Sequence, residues 1–257
     1  MSLIYGIIEM NVSVEPKQKV DVVISINVYK SLETLRRQLD TIDQHVQCSY
    51  LVLLNCNESF FQTLQASDFK HPKVVIHPVL LNKIWFHGTL TQGIVNNMKF
   101  AIDTFDFEYF IVLSGRTIFY RTLTKDNLQD LQTNRNLSAP KSLLQEPRLV
   151  NIWHWPNFNK TLLAKYYYEK GYTIYGSYHE GMVFSAKTCR VMSTFLDQHS
   201  EISNDLFNFP CCVEEFALQT VASNESEDGY FYIGNGHGES CDVNNTTLFT
   251  RKILFLT

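Results

Sequence analysis

The stretch Cys211–Thr220, CCVEEFALQT, sets two carboxylates side by side at the head of an apolar run. Two uses compete for such a pair. An acid in the first turn of a helix is stabilised by the helix dipole and needs no further role. An acid held in a cleft can instead accept the proton of an attacking hydroxyl as a new bond forms. Helical spacing separates the two residues. Val213, Phe216, Ala217, Thr220 and Val221 fall on one stripe, Glu214 lies at its edge, and Glu215 lies nearly opposite. Glu215 is therefore expected to face water or a cleft, and it is the candidate general base.

The complementary charge lies near the end of the chain, where FTRK supplies Arg251 and Lys252. Fixed cations stabilise a departing diphosphate, a task that otherwise falls to a divalent metal held by carboxylates. No Asp-x-Asp occurs anywhere in the chain, and its nearest approach, DFE at 106–108, precedes a strand instead of following one. A basic pair also has a plain structural use at a strand edge, where lysine deters edge-to-edge pairing. His179 and Glu180 stand ahead of a short strand. Trp153 and Trp155 belong to an aromatic cluster, WHWPNF. Both groups suit an acceptor site, and both equally suit a packed interior. GNGHGES at 234–240 is glycine-rich but lacks the Lys-Ser/Thr of a phosphate loop.

The elements that must position these residues follow from hydrophobic rhythm. VDVVISINVY (20–29), YLVLLN (50–55), KVVIHPV (73–79) and YFIVLS (109–114) are apolar runs of strand length. Between them come LETLRRQLDTIDQH, capped by Ser31, a short ESFFQTLQ helix, and TLTQGIVNNMKFAIDTF (89–105) with Leu90, Ile94, Met98, Ala101, Ile102 and Phe105 on one stripe. Buried strands alternating with helices imply a mainly parallel sheet with helices on both faces, and such sheets bind ligands beyond the carboxyl ends of their strands. Asn27–Lys30, Asn55–Glu58, the stretch 79–89 and Ser114–Arg121 are the segments to watch. The second half is less regular. Residues 116–160 read as loops with one short helix near 125–132. Further helices are expected over KTLLAKYYYEK, 186–199 and 213–223, with a short strand at 181–185 and a closing strand in TLFTRKILFLT.

The composition narrows the class. The chain has 257 residues, 45% of them hydrophobic, and a net charge of −4. Without a basic excess, no nucleic-acid partner is expected. No apolar run approaches the roughly 20 residues of a membrane span, and the first residues lack the basic start of a signal peptide. A cytoplasmic location is the expectation, with the six cysteines, at 48, 56, 189, 211, 212 and 241, as reduced thiols.

Four segments, in order, resemble the core-2/I-branching N-acetylglucosaminyltransferase family, which also contains peptide O-xylosyltransferases. IWFHGTLTQGIVNNMKFAI (84–102) is similar to that family's Trp-Gly followed by a long helix. FEYFIVLSGRTIF (107–119) resembles its strand ending in Leu-Ser-Gly. EEFALQT (214–220) resembles its Asp-Glu-x-Phe-Phe-x-Thr, and LFTRKI (248–253) its Phe-Ala-Arg-Lys-Phe. YGSYHEGMVFSAKTCRVM (175–192) is a looser fifth match.

The resemblance implies an α/β, GT-A-like single domain, with a nucleotide-binding half over about 18–120 and an acceptor half over about 121–257. It implies an inverting transferase that uses a UDP-sugar donor, a glycan acceptor and no metal or other cofactor. The family's general base falls on Glu215 and its diphosphate contact on Lys252. The expected donor side comprises Lys252, Arg251, Asn27, Asn55, Asn57, Gly88, Ser114 and Arg116. The expected acceptor side comprises Glu214, His179, Glu180, Trp153 and Trp155. The chain also departs from the pattern. Thr117 stands where the family has an acid after Leu-Ser-Gly, and Asn55 or Asn57 replaces the acid expected to hold uridine or ribose. The family's further arginine upstream of the last motif is missing from 229–247, leaving Arg116, Arg121 or His237 as substitutes. The family's membrane anchor is not seen, which points to a soluble bacterial or viral relative. Two alternatives stay open: a GT-A-shaped sugar or nucleotide binding protein without catalysis, and a metal-dependent transferase with Asp106, Glu108 or Asp242 as ligands.

Overall fold

The computed structural model describes residues 16–28, 31–134, 155–176, 179–235 and 249–252. Strand β1 (Gln18–Val28) is its axis. Val22, Val23, Ile24 and Ile26 are wholly buried, as a strand covered on both faces requires. In parallel register, β1 pairs with β2 (Tyr50–Cys56) on one side and β4 (Phe105–Ser114) on the other. β3 (Val74–Ile76) extends the sheet beyond β2. β6 (Met182–Ser185) runs antiparallel to β4, and β7 (Phe231–Tyr232) antiparallel to β6. The order is β3-β2-β1-β4-β6-β7, with β6 the reversed strand. A second, smaller sheet joins β5 (Thr117–Phe119), β9 (Thr250–Lys252) and β8 (Gly234–Asn235), with β9 in the middle.

The mainly parallel α/β sheet flanked by helices expected from the sequence is what the chain forms. Alternate side chains of β1 enter two separate cores. Val22, Ile24, Ile26 and Val28 pack with Leu35, Leu39 and Ile42 of α1 (Leu32–His45), Phe60 and Leu64 of α2 (Glu58–Ala66), and Leu128 and Leu131 of α4 (Lys125–Thr133). Val23 packs on the other face. There it meets Ile94 and Met98 of α3 (Thr89–Thr104), then α6 (Leu162–Glu169), α7 (Ala186–Gln198), α8 (Ser200–Asn208) and α9 (Ala217–Glu225). Side-chain caps start several of these helices. Ser31 Oγ accepts from Thr34 N, Ser185 Oγ from Thr188 N, and Thr124 forms a capping box with Asn127.

Several elements differ from the expectations. The strand expected over 73–79 is only Val74–Ile76, because the His77 ring accepts from Val79 N at 3.0 Å and turns the chain. β5 forms within a stretch read as loop. α8, absent from the sequence reading, starts at Ser200, with only His199 between it and α7. The single helix expected over 213–223 is broken: Val213–Glu215 is a 3-10 turn, and α9 begins at Ala217.

The polar exceptions in the core fix how α3 lies on the sheet. Asn97 Nδ2 donates to Ser25 Oγ at 2.9 Å and to Leu53 O at 3.0 Å, while Asn27 Nδ2 donates to Leu90 O at 2.8 Å. Close approach needs glycine at two points. A Cβ on Gly93 would lie 2.3 Å from Asn27 Oδ1, and one on Gly88 would lie 1.8 Å from Leu206 O. The second obstacle is backbone, so it cannot swing aside. Gly88→Ala is therefore expected to part α3 from α8 and cost more than about 2 kcal/mol, within the range of overpacked interiors. Urea unfolding measures it, and a variant of native stability would contradict this packing.

Candidate functional site

The carboxyl edge of the parallel strands gathers most of the chemistry-bearing residues. Asn27 stands level with Asn55 on one side and Ser114 on the other. Ser114 O accepts from Gln38 Nε2 at 2.8 Å, its N–H donates to Thr117 Oγ1 at 3.3 Å, and the two hydroxyls lie 3.0 Å apart. Buried Thr117 thus ties the turn that follows β4, the position where the resemblance places an acid. Arg116 is in that turn, its N–H donating to Ser114 Oγ at 3.4 Å.

The loop between β3 and α3 crosses this edge and brings a residue the sequence reading did not single out. Lys83 is 6% exposed. Its ammonium donates to Asn55 Oδ1 at 2.8 Å and to Leu81 O at 3.1 Å. Its N–H donates to Asn57 Oδ1 at 3.2 Å, and Leu81 N donates to Cys56 O at 3.0 Å. Burial pulls the Lys83 ammonium down to about 7, and the nearby Cys56 thiol opposes this weakly. Asn55 and Asn57, both expected on the donor side, thus each hold Lys83 through Oδ1. Asn55 is wholly buried, and its Nδ2 has no partner. Asn27 Oδ1, on the adjacent strand, also has none. The only signal for Lys83 in the sequence was one cation in the apolar run VLLNKIWF. Gly88, expected on the donor side, also makes the close contact between α3 and α8.

The acids lie across the end of β4. Gly181 N donates to Val112 O at 2.8 Å, which sets Glu180 just beyond the sheet edge. Glu180 is 2% exposed, and His179 Nε2 lies 3.7 Å from its Oε1. Glu214, expected at the edge of a helical stripe, is 1% exposed because the 3-10 turn rotates it inward. Burial raises its carboxyl to about 8; Glu215 and Glu180 push the same way, against hydrogen bonds from its own backbone and from Cys212. Glu214 Oε2 has no partner. Glu214 holds its proton at neutral pH, while Glu215 remains half-buried. The helix α5 (Trp155–Phe158) joins this group, since the Phe158 ring stacks on Phe216 with centroids 4.9 Å apart. The backbone of Trp155 is therefore beside the acidic segment. Trp153, His237 and most of the glycine-rich 234–240 stretch lie outside the described residues.

The basic end arrives through the small sheet. Thr117 pairs with Lys252 and Ile118 with Arg251, and Phe249 N donates to Ile233 O at 2.7 Å. Ile233 N in turn donates to Gly181 O at 2.9 Å. The backbone of Lys252 and the Glu180–Glu214 pair thus reach the same end of β4. Arg121 lies 5.7 Å from the centroid of the Tyr120 ring, in the chain leaving β5.

The five described cysteines are free thiols, Cys241 lying outside the described residues. Among the described residues, no helix is long and apolar enough to cross a membrane. No protein-family model matches the chain, and no curated protein matches it.

Glu214 makes a prediction about pH. Its folded value of about 8 exceeds its ordinary value of 4.5, so the native state binds more protons than the unfolded one between these limits. Its contribution is fully present below about 4.5 and is lost as pH rises to about 8. Glu214→Gln removes that loss. Its stability relative to the parent should rise by at least about 1 kcal/mol between pH 5 and pH 9. Lys83 titrates in both proteins and cancels in the difference. Parallel urea titrations at the two pH values measure it, and an unchanged difference would contradict a buried, protonated Glu214.

Proposed function

We propose that this protein is a metal-independent, inverting glycosyltransferase that moves a sugar from a UDP-sugar to a carbohydrate hydroxyl. One observation carries the reading. The segments that resemble the core-2/I-branching family are scattered over the sequence from 84 onward, yet their described parts meet at one sheet edge. Lys252 pairs with Thr117, Gly181 hydrogen-bonds Val112, Leu90 O accepts from Asn27 beside Ser114, and Glu214 interacts with Glu180. Motifs matched by chance have no reason to converge.

In this reading the acceptor hydroxyl attacks the anomeric carbon as the bond from that carbon to the β-phosphate oxygen breaks. Glu215 takes the hydroxyl proton, and UDP leaves with its charge offset by Lys252 and Arg251. Glu214 is a poor base at neutral pH because it is already protonated. Its place beside Glu180, with His179 next to that carboxyl, suits the acceptor side, with α5 and Trp155 alongside. Donor groups line the ends of β1, β2 and β4.

The test is UDP release across a panel of UDP-sugars and glycan acceptors. Turnover should survive EDTA. Glu215→Gln should lower kcat at least about 100-fold with folding intact, the usual scale for a lost general base. Lys252→Ala should lower it by about 10-fold or more. Strict dependence on a divalent metal, or full activity in Glu215→Gln, would overturn the assignment. The non-catalytic alternative draws on Thr117 and on the internal engagement of Asn55. Its mark would be saturable UDP-sugar binding with no UDP release.

A further inference from the structure

Lys83 is not absorbed by the proposed chemistry. A buried ammonium is costly unless a carboxylate faces it, and the usual outcome is a pair or a shifted protonation state. Among the described residues, Lys83 has no carboxylate partner. Its contacts are the neutral oxygens of Asn55 and Leu81, which use two of its three N–H donors. Beside it, the wholly buried Asn55 amide leaves Nδ2 with nothing to donate to. Such a group costs about 1–3 kcal/mol unless something fills the gap. On the adjacent strand, in register with Asn55, Asn27 Oδ1 lacks a donor. Asn27 Oδ1 lies against Gly93 of α3, but two donors without a full set of partners, one of them cationic, remain near the carboxyl end of β2, at the edge where parallel sheets receive ligands.

We propose that Lys83 and the Asn55 amide form an anion subsite for the phosphate of a phosphorylated ligand. The unmatched cation calls for an anion, and lysine meets phosphate as a point charge. The inference does not rest on glycosyl transfer, since a pure binding protein would use the subsite in the same way. It adds a charge contact distinct from Lys252 and Arg251. The titratable group acting on Lys83 is the Cys56 thiol, itself pushed up to about 11 by burial, so it stays neutral through the range tested. With its own value lowered to about 7, Lys83 is mostly neutral at pH 8 and takes up a proton when an anion arrives.

Isothermal titration at pH 8, in phosphate-free buffers of different ionisation enthalpy, tests this with three probes. They are UDP, inorganic pyrophosphate and uridine. UDP should bind more tightly than uridine, which has no phosphate. Both phosphate probes should take up a fraction of a proton approaching about one, and uridine none. Lys83→Met should weaken UDP at least about tenfold and abolish the uptake. Lys83→Arg is charged in both states, so it should retain UDP binding without uptake, and it decides the matter if Lys83→Met fails to fold. UDP binding to the parent without proton uptake, or uptake that persists in the folded variants, would overturn the proposal. So would no binding of either phosphate probe at millimolar concentration. Loss of sugar transfer with these binding results intact would sink the transferase reading and leave the subsite standing.

Discussion

Burial at the ends of three parallel strands is the constraint on which this structure turns. β1, β2 and β4 finish side by side with polar residues: Asn27 and Asn55 are too buried for water to satisfy them freely, and Ser114 is half-buried. Each must find a partner from another element. Gln38 reaches Ser114 from α1, the first turn of α3 supplies a carbonyl to Asn27, and the β3–α3 loop sends Lys83 to Asn55. The close seating of α3 follows, because only a glycine at 93 lets that helix approach Asn27. Three of the buried side-chain atoms without partners among the described residues, Asn27 Oδ1, Asn55 Nδ2 and Glu214 Oε2, lie at this edge as well.

The same burial sets the electrostatics. Glu214 and Lys83 are both pulled toward their neutral forms, one from below and one from above. Their effects on stability run in opposite directions. The Glu214 contribution is lost as pH rises to about 8, whereas that of Lys83 is present at high pH and lost as pH falls to about 7. Near pH 7–8 both costs act together. Buried ionisable groups so near neutrality respond strongly to a charged ligand, and that response separates them from an inert core.

The sequence made the scaffold legible where periodicity was strong. β1, α1, β2 and α3 appear within a residue or two of expectation because long apolar runs and a Ser31 cap leave little choice. Short elements such as β5, β7 and β8 carry too few residues to show a period, and tertiary pairing alone creates them. At 211–220 the stripe of apolar residues was right and the helix was not. Phe216 takes φ −134° and separates a 3-10 turn from α9. That break exchanges the meaning of the acids: Glu214 is buried and neutral, and Glu215 is left half-exposed. Lys83 was illegible for a different reason. A lone cation in an apolar run normally extends to solvent, and only the fold shows that this one turns inward.

The central claim is that the carboxyl edge of β1, β2 and β4 forms one ligand site, with Lys83 at one end and Glu215 at the other. A crystal structure with UDP bound tests it most directly. The account predicts a phosphate within hydrogen-bonding reach of Lys83 Nζ and Asn55 Nδ2, with the acids across the end of β4 facing the open side of the diphosphate. UDP seated on another face of the molecule, or at this edge with Lys83 untouched, would contradict it.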